Sequence, residues 1–247
     1  MKLSINAASN VGCVRENNED MVLLCHQFVR DGELACEADL STSDRCIVAL
    51  ADGMGGHSCG EVASSEVLHN LDYVFNDLPK GLGIEDFNEA IYEWMDSINA
   101  IIASKGHADP SYRQMGTTLV ALAYYNGEFY WMNCGDSRIY RFHDGYLQQM
   151  STDHSLNNLT GSNEHSNLIT NCIGGGCTTS YIDMVKCTNK ILPGDVFMLC
   201  SDGLTDMVDD IELEKLLKQG ATASELCQAA VTAGGFDNVS VCMIKIV

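Results

Sequence analysis

Four short apolar runs in this chain each meet an aspartate beside a glycine or a turn. Val48 to Ala51 leads into Asp52-Gly53, Trp131 to Gly135 into Asp136, Val196 to Ser201 into Asp202-Gly203, and Phe236-Asp237-Asn238 opens Val239 to Ile244. A fifth carboxylate, Asp20, precedes the apolar stretch Met21 to Leu24. Short runs rich in Val, Ile, Leu and Cys and bounded by turn residues read as buried strands. The carboxylates then stand at strand ends, where a sheet brings distant parts of a chain together. Gathered at one rim of a core they repel one another unless cations hold them.

Two segments carry helical periodicity instead. Val62, Ala63, Val67, Leu68, Leu71, Val74 and Phe75 mark a helix over 60–75, and Phe87, Ile91, Trp94, Met95, Ile98 and Ile102 mark a cleaner amphipathic one after it. Thr117 to Tyr125, the turn Asn126-Gly127, Glu128 to Asn133, Ser137 to Phe142 and the turn Asp144-Gly145 predict an antiparallel meander. Strands are expected again at Tyr181 to Cys187 and Val196 to Cys200, with shorter helices near 209–218 and 223–233. Strands in antiparallel order with helices in separate blocks make an α+β layered architecture, not a βαβ series. With no linker, low-complexity tract or repeat, residues 1–247 are expected to form a single domain.

Charge narrows the partners. The chain has 14 basic and 34 acidic residues, a formal charge of -20, which argues against a nucleic-acid partner. No apolar stretch approaches the ~20 residues of a membrane span, and the first residues lack a hydrophobic signal core, so a cytoplasmic protein is expected. The 12 cysteines include no Cys-x-x-Cys pair and read as reduced core residues, with Cys59 the candidate for a redox-sensitive thiol.

Asp20, Asp52, Asp136, Asp202 and Asp237 offer only oxygen, with no His or Cys at ligand spacing. Such a set suits Mg²⁺, Mn²⁺ or Ca²⁺ and disfavours zinc. A structural calcium site is the weaker reading, because calcium loops place their carboxylates close together in sequence and these span the chain. Glycines at 53 and 203 let the backbone turn sharply and a carbonyl approach a cation. Two ions sharing a bridging carboxylate can acidify a water for attack on phosphorus, which is metal-assisted phosphoester hydrolysis. Arg15, placed near the ions by an extended segment, supplies a bidentate donor for phosphate oxygens; alone it also reads as a surface arginine.

Gly12-Cys13-Val14-Arg15-Glu16-Asn17-Asn18-Glu19-Asp20, Ala51-Asp52-Gly53-Met54-Gly55-Gly56-His57, Met115-Gly116-Thr117-Thr118, Asn133-Cys134-Gly135-Asp136-Ser137-Arg138, Thr152-Asp153-His154-Ser155, Ser201-Asp202-Gly203 and Gly234 to Ser240 follow one another in an order that resembles the bacterial branch of the metal-dependent type 2C Ser/Thr protein phosphatases. The resemblance implies a four-layer α-β-β-α sandwich with two central antiparallel sheets flanked by helix pairs. It implies a hydroxide bridging two Mn²⁺ or Mg²⁺ ions that attacks phosphoserine or phosphothreonine. Asp52 would bridge the ions, the Gly53 carbonyl would bind one of them, and Asp202 and Asp237 would complete the protein ligands of the first. Asp20, with Glu19, would serve the second ion, Asp136 with Asp202 a weaker third, and Arg15 the phosphate, with Asn238 supporting the ligands. Phosphorylated proteins and a cognate Ser/Thr kinase would be the partners of a monomeric enzyme.

Two departures qualify the resemblance. Met54 stands where many eukaryotic members have a histidine, so His57 is carried over only as a bacterial-type candidate general acid, beside metal-bound water and a purely structural histidine. The flap expected near 155–173 is polar and short, which predicts a more open cleft, weaker third-metal retention and altered substrate choice. The alternatives are a pseudophosphatase kept as a phosphoprotein-binding module, which the full set of carboxylates disfavours, and a dedicated phosphatase of one small regulatory partner.

Overall fold

The computed structural model describes residues 1–55, 59–160 and 168–247. In chain order its principal elements are β1 (Lys2–Asn10), β2 (Met21–Leu24), β3 (Gln27–Val29), β4 (Gly32–Asp39), β5 (Arg45–Ala51), β6 (Gly53–Met54), α1 (Gly60–Asp77), α2 (Ile84–Ala108), β7 (Gly116–Thr117), β8 (Leu119–Tyr125), β9 (Glu128–Cys134), β10 (Arg138–His143), β11 (Tyr146–Gln149), α3 (Leu156–Thr160), β12 (Ile173–Gly174), β13 (Asp183–Lys186), β14 (Val196–Cys200), α4 (Asp202–Thr205), α5 (Asp210–Lys218), α6 (Ala223–Ala233) and β15 (Val239–Ile246). Two six-stranded antiparallel sheets, ordered β11-β10-β14-β15-β1-β4 and β13-β9-β8-β5-β2-β3, face each other, and a small β12-β7-β6 sheet sits beside them.

The continuous apolar runs follow from burial on both faces. In β5, Val48 and Leu50 enter the core between the sheets, while Ile47, Ala49 and Ala51 face α1 and α2. In β15, Cys242, Ile244 and Ile246 face the other sheet, and Val239, Val241 and Met243 face α5 and α6. Period-two alternation thus feeds two cores from each central strand. The result is the expected α-β-β-α order, with three apolar layers between four layers of structure.

The expected meander is split. β8 and β9 form a hairpin across Asn126 (φ 48°) and Gly127 (φ 87°), and β10 and β11 form another across Asp144 (φ 49°) and Gly145 (φ 80°), but they lie in different sheets. Cys134 to Ser137 carries the chain from one sheet to the other, so Asp136 occupies a crossover at the rim. β1, β3 and β4 were not foreseen, and the strand expected from Tyr181 forms only at Asp183–Lys186.

Cys59, the candidate redox-sensitive thiol, is buried at the start of α1, its Sγ 3.1 Å from the Ser111 carbonyl. All 12 cysteines are free thiols and eight are buried, as expected of small core residues. Among the described residues no helix is long and apolar enough to cross a membrane.

Candidate active site

Strand registers bring the five aspartates to one rim. Met21 pairs with Ala51, so Asp20 and Asp52 flank the same end of the β2–β5 pair. Cys200 pairs with Val241 and with Arg138, which sets Asp202, Asp237 and the Asp136 crossover at the matching end of the other sheet. Leu119 opposite Cys134 and Leu50 opposite Val120 connect the two groups. Each strand arrives from the core, and each aspartate marks where it leaves.

Asp20 is fully buried, and its Oδ2 accepts from Ser201 Oγ at 2.8 Å. Ser201 is in turn fixed by the Ser240 amide at 3.0 Å, Ser240 by Ser9, and Ser9 by Asn18. The other oxygen, Oδ1, is buried without a partner, as is Asp136 Oδ1. Asp52 is held by its backbone: Thr118 Oγ1 accepts from its amide at 3.1 Å, and its carbonyl accepts from Thr118 N and Thr117 Oγ1. Burial, opposed by the serine hydroxyls and reinforced by Asp202 and Asp237, pushes Asp20 up to about 7. Burial, then repulsion from Asp202, does the same to Asp136, also to about 7. Asp202 rises to about 6 through burial and the charges of Asp206 and Asp237, partly relieved by a hydrogen bond with Asp52. Asp52 lies well above the usual carboxylate range, through burial and the four other aspartates.

Arg15 follows directly on a turn over Gly12 to Val14. At Gly12 a φ of 80° and close approach to the Asp237 and Gly235 carbonyls leave no room for a side chain. The turn delivers the guanidinium to the rim, where Nη2 donates to Asp237 Oδ2 at 2.7 Å with both side chains partly in solvent. That bond is the main cause of a raised Arg15 pKa. Asn238 ties the same loop down: its Nδ2 donates to the Val11 and Asn17 carbonyls at 2.9 and 3.0 Å, and its Oδ1 accepts from the Glu19 amide at 2.8 Å. Glu19 Oε1 accepts from the Gly60 amide at the start of α1. Gly203 packs against the Asn238 carbonyl, and Gly53 against the backbone of Gly60 and Glu19, so both glycines serve close approach.

Asp20, Asp52, Gly53, Asp136, Asp202, Asp237 and Arg15 therefore all lie on one rim, whereas His57 falls outside the described residues. Among the described residues no three Asp, Glu, His or Cys side chains are closed into a ready ion cage; Asp237 turns to Arg15 and Asp52 to Asp202. Orphaned oxygens at Asp20 and Asp136, raised carboxyl pKa values and an oxygen-only donor set fit a hard divalent cation. Sequence reasoning gave no role to Ser201, Ser240, Ser9, Thr118 or Asn18. Ser201 and Ser240 each lie within three residues of Asp202 or Asp237, but only the sheet register shows that they reach Asp20. His154 also proves to be a girder: Nδ1 accepts from the Gly135 amide and Asn171 Nδ2, leaving Nε2–H to donate to Asp183.

The layered sandwich with its acidic rim defines a scaffold for gathering hard cations. Residues 33–232 match the Protein phosphatase 2C family, and the chain belongs to that family. It is 31% identical over 98% of its length to the serine/threonine protein phosphatase PstP of Mycobacterium tuberculosis, of which it spans 44%. It is also 31% identical to the protein phosphatase PhpP of Streptococcus pneumoniae, covering 98% of this chain and 97% of that one. Among solved structures it superposes on a serine/threonine phosphatase of S. agalactiae with a TM-score of 0.82 at 25% identity, covering 99% of this chain and all (100%) of the other. The catalytic domain of PstP in complex with two manganese ions matches with a TM-score of 0.75 at 30% identity, both chains covered at 100%.

Proposed function

We propose that this chain is a metal-dependent phosphoprotein phosphatase acting on phosphoserine and phosphothreonine, with Mn²⁺ or Mg²⁺ as its cofactor. The observation that carries the reading is the convergence of five aspartates on one rim, two of them with buried, unpartnered oxygens. Asp52, Asp202 and Asp237 would hold one ion, Asp52 and Asp20 the second, the Gly53 carbonyl one of these two, and Asp136 with Asp202 a weaker third. When bound, such ions acidify a water and offset the charge of a phosphate. The chain's own residues do the rest. Arg15, already aimed at the rim, orients the phosphate by its non-bridging oxygens. Ser201 aims the Asp20 carboxylate, Thr118 holds the Asp52 backbone, and Asn238 fixes the loop that carries Arg15.

His57 is retained as the proposed leaving-group acid. The short flap near 155–173 is proposed to leave the cleft open and the third ion weakly held; unchanged phosphopeptide turnover after excision of Leu159 to Asn167 would refute that role. The same reading makes 1–247 a single phosphatase domain, monomeric and cytoplasmic, opposing a cognate Ser/Thr kinase. The deciding experiment is hydrolysis of p-nitrophenyl phosphate and a phosphothreonine peptide with Mn²⁺, with EDTA and Asp52→Asn as controls. Turnover should require metal and Asp52, with the far-UV CD spectrum of the variant unchanged. No turnover at any metal concentration would overturn the proposal in favour of a binding module.

A further inference from the structure

Behind the rim, a cavity of about 510 Å³ opens between α2 and the loop that follows β12. Its wall includes Ile102, Arg113, Met115, Gly175 and Cys177. The loop reads Cys172-Ile173-Gly174-Gly175-Gly176-Cys177, and all three glycines have positive φ (75°, 60° and 81°). That left-handed run folds the chain back on itself, so the Cys177 amide donates to the Gly174 carbonyl at 2.9 Å and the two thiols face each other with Sγ···Sγ at 3.5 Å. Gly175 lies directly against the Cys172 sulfur, where a side chain would have no room.

We propose that Cys172 and Cys177 form a reversible oxidation site, closed to a disulfide by a hydroperoxide. Cys177 is only partly buried and lines the cavity, whereas Cys172 is 5% exposed. Burial, followed by the neighbouring Cys177, pushes the Cys172 thiol up to about 12. Cys177, the more accessible of the two, attacks first: its thiol gives up its proton, its sulfur takes one oxygen of the peroxide, the O–O bond breaks, and the hydroxide released takes up that proton and leaves as water when hydrogen peroxide is the oxidant. The Cys172 sulfur then displaces hydroxide from the resulting sulfenic acid, forming the S–S bond, and its proton leaves with that hydroxide as a second water. Glycines at three of the four intervening positions let the loop tighten without dragging bulky side chains through the cavity.

The loop is joined to the rim. Ile173 and Gly174 pair with Thr117 and Gly116, and these pair with Gly53 and Met54. The Gly174 amide is held by Asn99, and Asn171, one residue before Cys172, holds His154 at the base of the flap. Closing the disulfide pulls on the small sheet that carries Gly53. The formation of the bond stands alone; its effect on turnover rests on the phosphatase reading.

The test treats the full chain with hydrogen peroxide, blocks free thiols with N-ethylmaleimide and maps linked peptides by mass spectrometry, before and after dithiothreitol. A Cys172–Cys177 linkage that dithiothreitol reverses is expected. Alongside it, Mn²⁺-dependent turnover should fall at least fivefold and recover on reduction, while Cys177→Ser and Cys172→Ala retain turnover and resist peroxide. Recovery of both cysteines as alkylated thiols, or linkage instead of Cys25 to Cys46, whose sulfurs lie at 2.8 Å, would overturn the site. Linkage without loss of turnover, or equal loss in Cys177→Ser, would overturn its control of activity. Absence of turnover in the reduced protein would refute the phosphatase reading and leave the mapped disulfide as the test of the site.

Discussion

Asp136→Asn should stabilise the metal-free protein, and the size of the effect can be worked from the rim. Burial, then the charge of Asp202, raises Asp136 from the usual 3.8 to about 7. A carboxyl whose pKa is raised on folding binds its proton more tightly in the folded state. The stability it costs is absent below about pH 4, grows as pH rises to about 7, and is constant above. A rise of that size corresponds to about 4 kcal/mol. The side chain keeps some contact with water, which reduces the expected cost to about 2–3 kcal/mol. An asparagine of the same shape carries no charge and escapes it. In EDTA at pH 8 the variant should melt about 5–10 °C above the wild type, on a scale of ~2–4 °C per kcal/mol for a chain of this size. At pH 4 the two should coincide, and saturating Mn²⁺ should close or reverse the gap at pH 8, since a cation then offsets the charge. Differential scanning fluorimetry over that pH range, with urea melts at its two ends, makes the comparison. A variant no more stable than the wild type at pH 8 in EDTA would refute the reasoning.

Metal affinity should rise steeply between pH 5.5 and 8, because Asp202 at about 6 and Asp20 at about 7 must lose protons to a cation; a flat Mn²⁺ affinity by calorimetry would contradict this. Arg15→Ala should lower kcat/KM on a phosphopeptide about 10–100-fold, the worth of a charge-assisted bond, with Arg15→Lys recovering only part. Its melting temperature should hardly move, because the pair with Asp237 is half exposed. Gly203→Ala drives a methyl into the Asn238 carbonyl and should cost about 2–4 kcal/mol in urea unfolding. Asn238→Ala frees the Arg15 loop and should weaken Mn²⁺ binding about 10–100-fold at an unchanged CD spectrum; wild-type affinity would show that the loop is held by other means.

The central strands were legible because burial on both faces leaves an unbroken apolar run, as in Val48 to Ala51 and Val196 to Cys200. The helices were legible because α1 and α2 each bury one stripe. β4 was not, since it is an edge strand whose Glu33, Ala35, Glu37 and neighbours are partly or wholly exposed and carry no apolar run. β1 alternates Leu3, Ile5 and Ala7 with Ser4 and Asn6 and could have been read from that period. The meander failed for a different reason. Local pattern finds the two hairpins, but nothing local says that the chain changes sheets at Cys134 to Ser137, which is a property of the packed pair. For the rim, strand ends identified the aspartates, while the donors that aim them come from strands adjacent only in the fold, Ser201 to Asp20 being 181 residues apart in the chain.

That separation explains why the rim is built as it is. Four aspartates lie above the ordinary carboxylate range mainly through burial, so the folded chain retains a cost that amides at the same places would remove. The serine hydroxyls at Asp20 limit that cost and set the direction of its carboxylate, and Thr117 and Thr118 hold the Asp52 backbone, but Asp20 Oδ1 and Asp136 Oδ1 are left without partners. A site satisfied completely by its own donors would be more stable and would have little left to offer a cation. One that lacked Ser201 would let the carboxylate swing away from its neighbours. The partial satisfaction is the compromise: enough hydrogen bonds to aim the oxygens, and enough unpaired charge to make cation binding worth several of the kcal/mol that the fold gives up.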